Sequence, residues 1–92
     1  MPTEKACDVL DEVQRMREAL RTAALGSSLS YSDIEQALGM CGGYLSVIFA
    51  GKVELRVAHV FGILKVIGVE PWRFFLNLLE AEDRRAGEHH AA

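Results

Sequence analysis

Side chains able to do covalent or metal chemistry are few in this 92-residue chain and do not gather. The two cysteines, Cys7 and Cys41, stand too few and too far apart for a disulfide framework. His59 lies among apolar residues with no second His or Cys at a ligand interval beside it. It reads as a hydrogen-bonded structural histidine rather than a metal ligand. His89 and His90 fall in a polar tail. Residues 39–43, GMCGG, have the glycine density of a phosphate cradle, but no strand precedes them and no Gly-Lys-Ser/Thr follows, so they read as turn glycines. Cys41, at the mouth of a helix, is either a mildly acidified thiol or an inert, half-buried one. Nowhere can a nucleophile, a base and an orienting group be placed together. No enzyme, metal or cofactor is therefore expected, and the chemistry left is non-covalent.

The elements that would present such chemistry are written most clearly in residues 29–52, LSYSDIEQALGMCGGYLSVIFAGK. Ser30 is a good N-cap, and Asp33 puts a carboxylate in the first turn, where the helix dipole favours it. Ile34, Ala37 and Leu38 recur at helical spacing and predict one buried face over residues 31–38. Gly39 ends that helix by taking the left-handed conformation, and Met40 follows as a buried elbow. A second short helix, about 43–50, turns Leu45 and Ile48 inward and is closed by Gly51. Two helices joined through a glycine turn cross at a wide angle, so the second is a presented rod: a helix-turn-helix pattern.

The rest of the chain supplies a scaffold without repeats or a second domain. A long helix over about 4–24 carries a narrow stripe of Ala6, Val9, Val13, Met16, Leu20 and Ala23, with Asp8, Asp11, Glu12, Arg15, Arg17 and Glu18 on its polar face. Gly26, Ser27 and Ser28 turn the chain into the motif. A fourth helix, about 56–67, is stopped by Gly68, and Pro71 opens a fifth at a first-turn position where its missing N–H costs nothing. The tail, about 84–92, is polar and expected to fray. The whole is read as one all-α domain, 1–92, of five helices, with the motif at about 30–51.

On these residues the chain resembles the phage-repressor-like (Xre-type) helix-turn-helix family, whose motif runs L-S/T-Q-E-E-L-A-x-x-x-G-V-S-x-x-x-I-S-x-I-E-x-G-K. The matching positions are Leu29, Ser30, Ile34, Gly39, Met40, Leu45, Ser46, Ile48, Gly51 and Lys52. Leu55, Val57, Val60, Leu64, Ile67, Gly68, Val69 and Pro71 look like the family's fourth helix and its turn into the fifth, extending the resemblance over about 20–75. It implies a lambda-repressor-like fold with an extended N-terminal helix, and double-stranded DNA as partner. Carried over residue by residue, the base-facing positions are Gly42, Gly43, Ser46 and Val47, and the phosphate-facing ones Tyr31, Ser32, Lys52 and Arg56. Two positions depart from the pattern. Glu35 stands where the family places a small alanine between the motif helices, and Cys41 where it places a serine cap; both predict a loosened motif.

Composition pulls against the DNA reading. The net charge is −3 and the isoelectric point near 5.5, the wrong sign for neutralising phosphates. Over residues 27–56, Lys52 and Arg56 face Asp33, Glu35 and Glu54. None of the base-facing residues is Arg, Lys, Asn or Gln, so bidentate pairing to a base is not available from them. Half the residues are hydrophobic, generous for a small domain. In the fifth helix Trp72, Phe74, Phe75, Leu76, Leu78 and Leu79 fill six of eight positions, more than a one-sided stripe needs. Trp72, Leu76 and Leu79 are therefore expected at an interface with a second copy, the homodimer that helix-turn-helix proteins use to reach half-sites about 34 Å apart. Two readings of different class follow: a small DNA-binding transcriptional regulator acting as a homodimer, or a protein-interaction or self-assembly module that keeps the fold without binding DNA. With no apolar run of about 18 residues, no membrane is expected, and a cytoplasmic location is.

Overall fold

The computed structural model describes the backbone of residues 2–91 and the side chains of residues 9–81. The chain forms five α-helices: α1 (Pro2–Gly26), α2 (Tyr31–Leu38), α3 (Tyr44–Phe49), α4 (Val57–Ile67) and α5 (Pro71–Ala91). Among the described residues there is no strand. α5 runs on through the stretch expected to fray, and α3 is one residue shorter at each end than its pattern predicts. The calls on Ala6, Cys7, Asp8, His89 and His90 concern side chains outside the described residues.

α4 is the axis of the core. It packs against α1, α2 and α5, while α3 leans on α1 and α2. Leu20, Ile34, Leu45, Ile48, Ile63 and Leu64 are fully buried, drawn from α1 to α4, and α5 adds Phe74. Each such side chain stabilises the fold by about 1.5–3 kcal/mol relative to exposure. Gly62 in α4 lets α2 come close: a Cβ there would lie 3.1 Å from Leu38 Cδ2.

Four expectations are corrected by this packing. Arg17, read as part of the polar face of α1, is buried with 9% exposure. The buried positions of α1 are Arg17, Leu20 and Ala24, spaced i, i+3, i+7, with Met16 and Ala19 packed beside them, so Arg17 opens the inward seam. Val9, read into the apolar stripe, is exposed, as is Leu10, because α1 projects past the globule. A 25-residue helix is about 37 Å long, and the molecule measures 45 × 26 × 18 Å. Ala37 is exposed rather than buried. At about 100° per residue the buried face of α2 is centred between Ile34 and Glu35, and Ala37 falls off its edge. Met40 is half-buried rather than buried.

No described helix is long and apolar enough to cross a membrane.

Candidate functional site

Ser30 and Asp33 begin α2 with reciprocal bonds: Ser30 Oγ accepts from the Asp33 N–H, and Asp33 Oδ2 accepts from the Ser30 N–H, both at 3.1 Å. Together they satisfy two otherwise orphaned donors. Gly39 ends α2 at φ 69°, ψ 27°, with its N–H on Gln36 O at 3.2 Å, and the Met40 N–H reaches back to Glu35 O at 2.8 Å. Those bonds reverse the chain in two residues. Gly43, at φ 87°, then sets the direction of α3.

Gly43 gives α3 no side-chain cap. The cap comes from across the motif: Glu35 Oε2 accepts from the Leu45 N–H at 2.9 Å, and Glu35 is 6% exposed. The loosening expected from a carboxylate at this position is not found. Glu35 joins the two helices instead of wedging them apart, because its acceptor meets a donor left unpaired at the start of α3. Cys41, the other departure, is an exposed free thiol in the connector.

α3 is divided along its length. Leu45, Ile48 and Phe49 face the core; Ser46 and Ala50 are exposed and Tyr44 and Val47 half-exposed, with Gly42 and Gly43 bare in front of them. Phe49 joins Leu45 and Ile48 as a core residue. The Tyr31 ring lies 5.5 Å from that of Phe49, so Tyr31 is half-buried beside the far end of α3. Ser32, Lys52 and Arg56 are exposed. The Arg56 N–H donates to His59 Nδ1 at 3.3 Å, placing this ring at the start of α4, edge-on to Tyr44. His59 is thus hydrogen-bonded within the fold.

One cation at this face was missed in the sequence. Arg21 of α1 lines an open cleft with Tyr31, Ser46, Phe49 and Ala50. It is exposed. Its signal was its spacing: Arg21 is one turn beyond Arg17 on the side of α1 that meets α3, outside the motif window where cations were sought. The exposed charges around α3 are then Arg21, Lys52 and Arg56 against Asp33 and Glu54, since Glu35 turns its carboxylate inward.

The other surface singled out by sequence is open. Trp72, Leu76 and Leu79 form an i, i+4, i+7 stripe along α5, exposed by 61%, 46% and 60%. Phe75 beside them meets Phe61 of α4 edge-on at 6.1 Å, and Phe61 and Val57 extend the apolar surface onto α4. Among the described residues no group of three or more His, Cys, Asp or Glu could hold a metal ion. No family model, curated protein or solved structure matches the chain.

Proposed function

We propose that this chain is a small DNA-binding transcriptional regulator of the phage-repressor-like type, acting as a homodimer with α3 in the major groove. The observation that carries the reading is the division of α3: a short rod anchored by Leu45, Ile48 and Phe49 that turns Ser46, Val47 and a bare glycine start outward. Arg21, Lys52 and Arg56 flank it. Tyr31, Ser32, Lys52, Arg56 and Arg21 would hold phosphates; Gly42, Gly43, Ser46 and Val47 would face bases. Readout is shallow on this reading, drawn from a serine hydroxyl, a valine methyl against thymine, backbone N–H groups and DNA shape. The lambda-repressor-like arrangement of the five helices belongs to the same proposal.

The second copy sits on α5. An antiparallel pair of α5 helices centred on Leu76 buries Trp72, Leu76 and Leu79 against their symmetry mates. It also sets exposed Arg73 of one copy opposite exposed Glu80 of the other, since both residues flank the stripe on one side. The same apolar surface, with the absence of Arg, Lys, Asn or Gln from the base-facing positions, favours the second reading: a protein-interaction or self-assembly module that does not bind DNA.

A titration of the full chain against random duplex and against DNA flanking its own coding sequence separates the two. A regulator binds both at low salt and prefers one as salt rises; an interaction module binds neither.

A further inference from the structure

α3 has six residues and no side-chain cap of its own, far short of the roughly 12–15 at which an isolated helix is even marginal. Something else must fix its pose. Two charged side chains from neighbouring helices are buried at its two ends. At the N-terminal end Glu35 of α2, 6% exposed, accepts from the Leu45 N–H at 2.9 Å. At the C-terminal end the guanidinium of Arg17 of α1, 9% exposed, lies on Gly51: a Cβ there would stand 3.6 Å from Nη1 and 3.8 Å from Cζ. Nη1 donates to Gln14 Oε1 at 2.7 Å, while buried Nε has no hydrogen-bond partner. Burying a charge is costly unless something opposite meets it. Here each charge has the sign that its end of the α3 dipole favours, negative at the N–H end and positive at the carbonyl end.

We infer that Glu35 and Arg17 are positioning residues that clamp α3 electrostatically from α2 and α1 and so set which way Ser46 and Val47 point. The inference deepens the DNA-binding reading, on which its consequence for specificity rests; the clamp itself is testable without DNA. Both clamp residues lie outside the surface that would touch DNA, so they would act only through the orientation of α3.

Amide hydrogen exchange on the full chain reads the clamp directly. In Glu35→Ala the Leu45 amide exchanges about tenfold or more faster relative to the Leu64 amide in the core of α4, as the loss of a hydrogen bond to a charged group demands. Glu35→Gln, which keeps an acceptor oxygen, restores most of that protection. In Arg17→Met, which keeps the apolar stem, the Lys52 amide, bonded to Val47 O at 3.2 Å, exchanges about two- to tenfold faster. Equal acceleration of Leu45 and Leu64 in Glu35→Ala would mean that Glu35 supports the core as a whole, and would overturn the clamp. So would unchanged exchange at Leu45. On duplex DNA, Glu35→Gln shifts preference among sequences without changing the salt slope. A wild-type chain that binds no duplex defeats the DNA reading and leaves the exchange result standing.

Discussion

Gly39 and Gly42 stand three residues apart in one connector and answer to different constraints. Gly39 is at φ 69°, where a Cβ is strained, so Gly39→Val should cost about 1–3 kcal/mol and lower the melting temperature of the domain. An unchanged thermal melt by circular dichroism would contradict the turn. Gly42 has open space around its Cα and no positive φ. Gly42→Gln should therefore melt within about 0.5 kcal/mol of wild type, while supplying the bidentate adenine partner that, on the proposed DNA-binding reading, the native residues lack. Selection from a random duplex library should then show a new adenine preference; an unaltered preference would mean that residue 42 does not face bases. Gly39 was legible from sequence because a glycine after the last periodic residue is a local signal. Gly43 was not: read as base-facing, it sits at φ 87° and is required by the backbone, whatever it touches. Glu35 was misread for a similar reason. A carboxylate where alanine is usual looks like a misfit until its donor, ten residues away in sequence, is seen.

At the scale of the elements, the bounds of α2 were legible to the residue, because its capping serine and terminating glycine are local signals, although its facing at Glu35 and Ala37 was not. α1 was legible as a helix but not in its facing. The buried seam of Arg17, Leu20 and Ala24 begins with an arginine, and a reading by hydropathy alone discards it. α5 carries the apolar excess that sequence showed, and its stripe is open in the monomer. Leu76 and Leu79 are each about half exposed, so Leu76→Glu or Leu79→Glu should leave the helical content intact and shift a dimer toward monomer in sedimentation velocity. A wild-type chain that sediments as a monomer at high micromolar concentration would remove the dimer and leave the stripe without this partner.

For the whole molecule, the net charge of −3 is an average over surfaces that differ in charge. Glu35 spends its charge inside, on α3. Arg21 brings a cation from a helix outside the motif, and Lys52 and Arg56 complete a modest basic rim on an acidic chain. A rim of so few cations leaves no spare contacts, so each should matter more than in a basic DNA-binding domain. The measurement that bears on this most directly is the salt dependence of duplex binding for wild type, Arg21→Ala and Lys52→Ala. Binding is expected at low salt, weakening as salt rises; each substitution should lower affinity for all duplexes alike and reduce the slope of log K against log salt by about one. No binding to any duplex at low salt, or binding whose slope survives both substitutions together, would contradict the proposal that α3 and its rim hold DNA.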